Sequence, residues 1–139
     1  LKSTGDAGKV AALGRQIAMH VAAANPRAVR VAELDPKLVD NERKILAEQA
    51  AGSGKPAEIV ANMVEGRLRK FYEEVVLLEQ VYVIDSEKKV GKAIEAAAKE
   101  IGAPVEVTAI ARFQVGEGIE KKEADFAAEV AAAAGTGKA

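Results

Sequence analysis

Val60, Val64, Leu68, Phe71 and Val75 recur at i, i+4, i+8, i+11 and i+15, directly after the break Gly52-Ser53-Gly54-Lys55-Pro56. Residues at this spacing line one face of a long α-helix, so the segment from Pro56 onward is predicted as an amphipathic helix. On the other side of the break, residues 36–51 carry a thinner stripe of Leu38, Ile45, Leu46 and Gln49. Asp35-Pro36 opens that stripe, with an acceptor side chain at the N-cap and proline at the first helical position. Two consecutive helices joined by about four residues pair as an antiparallel hairpin. The thinness of the first stripe leaves little to bury elsewhere, so the hairpin is expected to project from the core.

The flanks read differently. From Asp6 to Asn25, Val10, Leu13, Ile17, Val21 and Ala24 form a helical stripe that Asn25-Pro26 ends, because the residue before proline resists the α region. Val90, Ile94, Ala97, Ala98 and Ile101 mark another helix, closed by Gly102. Strands are predicted at Val29–Ala32 and Val81–Ile84. A longer one is predicted from Val105 to Val115, where Val105, Val107, Ala109, Ala111, Phe113 and Val115 are apolar and four of the five residues between them are polar. One face of that strand is expected to be buried. Leu1-Lys2-Ser3-Thr4-Gly5-Asp6 reads as a strand end running into a turn, and hence as a chain that begins within a larger fold. The fold class is α+β: a small antiparallel sheet covered by helices, an inserted coiled-coil-like helical hairpin, and a C-terminal helix whose apolar contacts are Phe126 and Val130.

Charge and composition remove several function classes. The 139 residues suffice for one ordinary domain that buries about two-thirds of its unfolded surface. Twenty basic and 21 acidic residues leave a net charge of -1, so no global basic field exists to hold a nucleic acid directly. With no cysteine there is no disulfide scaffold, thiol nucleophile or thiolate metal site. Apolar runs fall well short of the roughly 18 residues a membrane span needs, and no secretory signal opens the chain.

The motifs that could carry chemistry also have plainer readings. Gly52-Ser53-Gly54-Lys55 resembles the end of a phosphate-binding loop, but Gln49 stands where that loop needs glycine and Pro56 where it needs Ser or Thr. It reads as an interhelical turn. Gly116-Glu117-Gly118 sits between strand and helix patterns like a dinucleotide loop, yet Lys121 replaces the third glycine and Glu117 would repel a pyrophosphate. A tight turn needing positive φ explains it better. Glu117, Glu120, Glu123 and Asp125 cluster near a helix entrance among Lys121 and Lys122, as dipole complementarity favours. Arg67, Arg69 and Lys70 are neutralised by Glu65, Glu73 and Glu74. His20 is the only histidine, which excludes a histidine-rich metal site, and its helical angle places it at the edge of the Leu13–Ile17–Val21 stripe. A histidine there is a packing or hydrogen-bonding residue, or a contact to a partner. No catalytic, cofactor-binding or metal-binding residue emerges.

Three segments carry a family resemblance: Ile17-Ala18-Met19-His20-Val21-Ala22-Ala23; Ser53-Gly54-Lys55-Pro56 with Met63-Val64-Glu65-Gly66-Arg67 and Lys70-Phe71; and Arg112-Phe113 through Val130. Together they resemble the bacterial-type elongation factor Ts family, guanine-nucleotide exchange factors for elongation factor Tu in translation elongation. The resemblance spans essentially the whole chain. It implies the C-terminal half of such a factor: a core α+β dimerisation domain in residues 1–35 and 79–118, the inserted hairpin in 36–78, and a C-terminal helical module in 119–139. The family's N-terminal helical module and first core half, with the Asp-Phe wedge that approaches the partner's magnesium, would lie outside these residues. Asp125-Phe126 is a different dipeptide and does not inherit that role.

By the same resemblance, His20 and Met19 in Ala-Met-His, together with Val83 and Ile84, match positions that dock the third domain of elongation factor Tu. Phe126 and Val130 match the module that leans on the partner's nucleotide-binding domain; the plainer reading makes them anchors to this chain's own core. The implied function needs no covalent chemistry and no cofactor, and the implied location is the cytoplasm or an organelle matrix. The alternative is a homo-oligomerisation module, a homodimer paired through the hairpin stripe.

Overall fold

The computed structural model describes residues 1–118. It is mostly helical: α1 spans Ala7–Ala24, α2 Pro36–Ala51, α3 Ala57–Val75 and α4 Val90–Ile101. Short 3-10 turns occupy Val31–Glu33 and Leu77–Glu79. Two strands, β1 at Lys2–Ser3 and β2 at Val105–Glu106, pair antiparallel with Lys2 opposite Glu106 and Ser3 opposite Val105. The class is therefore α+β, with a two-stranded sheet among the described residues. The expected C-terminal helix, with Phe126 and Val130, lies outside them.

Two of the helices begin, and two end, at residues suited to those positions. The Asp6 carboxylate accepts from the Lys9 amide at 2.8 Å, and that of Asp35 from the Lys37 amide at 2.9 Å, so both N-termini are capped. Asn25 ends α1 in the left-handed region at φ 47°, immediately before Pro26. Gly102 ends α4 the same way at φ 76°, where its amide and that of Ala103 both reach the Ala98 carbonyl.

The main core gathers Leu13, Ile17 and Val21 of α1, Val90 and Ile94 of α4, and Val29, Leu77, Tyr82 and Val107 from the connections. A second cluster joins Leu46 and Ala50 of α2 to Val64 and Leu68 of α3. A third, Ala28, Leu34 and Val76 with Phe71 and Val75 alongside, joins the base of α2 and α3 to the rest. Arg30 ties this base to the sheet, donating to Glu33 and to Glu106, each at 2.8 Å.

Three predicted strands are corrected. Val29–Ala32 contains no strand; Ala28 makes an isolated parallel bridge with Val76, and Val31 already begins a 3-10 turn. Val81–Ile84 is reduced to a single antiparallel bridge between Val81 and Lys89. The Val105–Val115 strand ends at Glu106, and its expected face is not buried: Phe113 is 95% exposed and Val115 fully so. Beyond Val107 the inward positions are Ile110 and Arg112, so the phase of the alternation reverses. Ile110 is the one apolar residue that broke the sequence alternation, and it packs against the main core.

The glycine turns agree with expectation. Gly116 and Gly118 take φ 81° and 77°, values that L side chains adopt at a cost, and Gly54 takes φ 67° between α2 and α3.

Candidate partner-binding site

His20 is not the boundary residue its helical angle suggests. It is fully buried, and so nearly is Gln80, 60 positions away. The Val83 amide reaches His20 Nδ1 at 3.2 Å. An amide can only donate, so Nδ1 is the acceptor and the neutral ring carries its proton on Nε2. That Nε2–H donates to Gln80 Oε1 at 2.9 Å. The Gln80 side-chain amide donates in turn to the carbonyls of Glu74 at 2.7 Å and Ala24 at 3.3 Å. Every buried side-chain polar atom among the described residues has a partner, as low-dielectric burial demands.

This network fixes a short irregular segment. The Gln80 carbonyl accepts from the Val90 amide at 2.9 Å, and the Tyr82 amide donates to the Lys88 carbonyl at 2.9 Å. Tyr82 points inward, its ring 5.8 Å from that of His20 and its hydroxyl 3.3 Å from Gln16 Oε1. Burial raises the Tyr82 phenol above its ordinary value. The turn that follows is held by Asp85, whose carboxylate accepts from Lys88 Nζ at 2.9 Å and from the Glu87 amide at 3.1 Å. Those two bonds, the Lys88 one first, lower the Asp85 pKa.

With the backbone and Tyr82 drawn inward, the remaining side chains face solvent. Val81 is 56% exposed, Val83 51% and Ile84 49%. Met19, next to His20 on α1, is 56% exposed. Met19, the neighbour of His20 on α1, and Val83 and Ile84, at and next to the amide that bonds His20, are thus all about half exposed. Phe126 and Val130 lie outside the described residues, so they are not placed relative to this surface.

Two features escaped the sequence. Gln80 gave no local signal, because its partners come from α1, α3 and α4. An open cleft of about 380 Å³ between α1 and the segment after β2, lined by Leu1, Ile17, Val21, Val107, Ile110 and Phe113, also went unread. Among the described residues no group of three or more His, Asp or Glu could hold a metal, and no helix is long and apolar enough to cross a membrane.

The described residues therefore form a small α+β domain that holds half-exposed apolar side chains next to a buried, internally satisfied polar network. The profile of the family described as Elongation factor TS matches residues 1–117, and the chain belongs to that family. It is 61% identical over 95% of its length to an elongation factor Ts of Rhodospirillum rubrum, and 59% identical over 97% to that of Rhodospirillum centenum. Identity to the elongation factor Ts of Rhizobium meliloti is 57% over 96% of the chain. The chain spans 43–44% of the length of these relatives.

Proposed function

We propose that this chain supplies docking contacts to elongation factor Tu, as part of a guanine-nucleotide exchange factor, through Met19, Val83 and Ile84. The observation that carries the reading is the segment 81–84. Its backbone is anchored to the buried His20 through the Val83 amide while three of its four apolar side chains remain about half exposed. Folding alone gives no reason to hold apolar groups in water, and exposed apolar groups gathered at one place mark surfaces that a partner covers. His20, Phe126 and Val130 belong to the same reading through their match to the family.

Exchange then follows from linkage. A factor that binds nucleotide-free elongation factor Tu more tightly than its GDP form must weaken GDP by the same factor. No covalent step is involved. In this reading residues 1–35 and 79–118 form the core, 36–78 the antiparallel coiled-coil-like hairpin, and 119–139 the C-terminal module. The α2–α3 cluster of Leu46, Ala50, Val64 and Leu68 supports the hairpin. The wedge toward magnesium and phosphate belongs to other parts of the longer relatives.

The test is capture of GDP-loaded elongation factor Tu with release of labelled GDP followed in parallel. Binding is expected, with Val83→Ala and Ile84→Ala each weakening it by roughly fivefold to thirtyfold. Absence of binding would overturn the reading, and release as fast as with a full-length relative would overturn the division of labour. A homo-oligomerisation module acting through the hairpin is the second reading; Val64 and Leu68 of the stripe first expected to pair are buried between α2 and α3, and what favours it is the exposure of Ile45 (40%) on α2 and Ile59 (46%) on α3. A tight dimer in sedimentation, without affinity for elongation factor Tu, would establish it instead.

A further inference from the structure

We infer that His20 and Gln80 are positioning residues for the docking surface rather than contacts to the partner: the pair holds the Val83 backbone against α1 so that Val83 and Ile84 are presented outward beside Met19. The inference rests on the docking role proposed for that surface. It reassigns how His20 contributes to docking and adds Gln80, which the sequence did not single out.

Three observations converge. His20 has no exposed surface, so a partner resting on this face meets its neighbours and not its ring. Both ring nitrogens are already occupied inside the chain, Nδ1 by the Val83 amide and Nε2 by Gln80 Oε1. Gln80 can accept from His20 in only one orientation, because its amide nitrogen is committed to the carbonyls of Ala24 and Glu74 near the C-terminal ends of α1 and α3. Gln80 therefore dictates the tautomer: with the proton held on Nε2, Nδ1 is left as an acceptor for Val83 N–H. In the opposite tautomer Nδ1 would carry a proton facing the Val83 proton, and the link between α1 and segment 81–84 would be lost. The chain of dependence runs from Ala24 and Glu74 through Gln80 and His20 to Val83.

Amide hydrogen exchange and ring nitrogen-15 shifts on the unmodified chain test the geometry directly. The Val83 amide is expected to exchange on the order of a hundredfold more slowly than that of Ile84, which has no acceptor among the described residues. The His20 ring is expected to show a protonated Nε2 and an unprotonated Nδ1. Equal exchange at Val83 and Ile84, or the reverse tautomer, overturns the inference even if every variant below fails to fold.

His20→Phe and Gln80→Met keep bulk while removing the hydrogen bonds. Each is expected to weaken elongation factor Tu binding about as much as Val83→Ala does, on the order of tenfold, and the double variant no more than either single, because both act through one link. Gln80→Met should also remove the Nε2 preference and speed Val83 exchange. If His20→Phe weakens binding while Val83 stays protected and Gln80→Met binds normally, His20 touches the partner directly and the inference is wrong. Should Val83→Ala and Ile84→Ala both bind like the unmodified chain, the docking role fails instead, and positioning for it falls with that role even where the exchange and tautomer data show the link itself to be present.

Discussion

Gly5 lies so close to Ile101 that a Cβ added to it would stand 2.3 Å from Ile101 Cγ2 and 3.1 Å from the Ala103 Cβ. Gly5 follows β1 and Ile101 ends α4, so this approach lets the start of α1 sit against the end of α4. Ile101 is β-branched and held in one χ1 well by its helix, which limits its retreat. Gly5→Ala is expected to cost about 1–3 kcal/mol in denaturant unfolding. Pairing it with Ile101→Ala, which removes the obstructing methyl, should recover part of that loss. Strict additivity of the two single changes would show that the clash is not the cause.

Val107 and Phe113 share a sequence phase but not an environment: Val107 is 4% exposed and Phe113 95%. Val107→Ala is expected to cost about 1–3 kcal/mol through a cavity in the main core. Phe113→Ala should stay within about 0.5 kcal/mol of the parent, although it removes the larger side chain. Equal losses in chemical denaturation would mean that the segment after β2 is paired in solution over the whole length its alternation suggests.

The contrast shows which parts of the fold were legible. Helical stripes such as Leu13–Ile17–Val21 and Val90–Ile94 are local: their period, the Asp6 and Asp35 caps of α1 and α2, and the Gly102 that closes α4 each lie at one element, so α1 to α4 could be read directly. Extended segments depend on what they pair with. Val81–Ile84 has the β-branched composition of a strand, but three of its four side chains are about half exposed and its backbone is held by a histidine and a short turn instead of a ladder. The same limit hid the inner part of the candidate site. A helical wheel places His20 beside the apolar stripe and cannot show that Gln80, 60 positions on, completes its hydrogen bonding. Met19, Val83 and Ile84 were found through family resemblance, since exposed apolar residues and buried ones look alike in a sequence.

Leu68 and Ile59 lie on the same helix with opposite consequences. Leu68 is 1% exposed between α2 and α3, whereas Ile59 is 46% exposed. Leu68→Ala is expected to cost about 2–5 kcal/mol, from lost transfer free energy and an unfilled cavity. Ile59→Ala should leave thermal unfolding of the isolated chain nearly unchanged. If Ile59→Ala instead lowers the melting temperature in a manner that depends on protein concentration, the exposed side chain is buried between copies, and the homo-oligomer reading gains.

Lys89, just ahead of α4, joins three elements, its Nζ 2.9 Å from Glu73 Oε1 on α3 and 3.0 Å from Glu79 Oε2 in the second 3-10 turn. The hydrogen bond from Lys89, followed by its charge, lowers the Glu73 pKa below its ordinary 4.5. The bonds to Glu73 and then Glu79 raise the Lys89 pKa above its ordinary 10.5. A depressed carboxylate stabilises the fold above its unfolded pKa, and that contribution disappears as pH falls through the folded value. A raised ammonium stabilises it below its unfolded pKa, with the contribution lost as pH rises through the folded value. The unmodified chain should therefore exceed Lys89→Met in stability on a plateau between these limits, with the gap closing below pH 4.5 and above pH 10.5. Because these side chains are partly exposed, added salt should shrink the gap. Thermal melts of both proteins across acid and alkaline pH test this, and a gap that stays constant from neutral pH down through the carboxylate range would show that the ion pair does not contribute to folding.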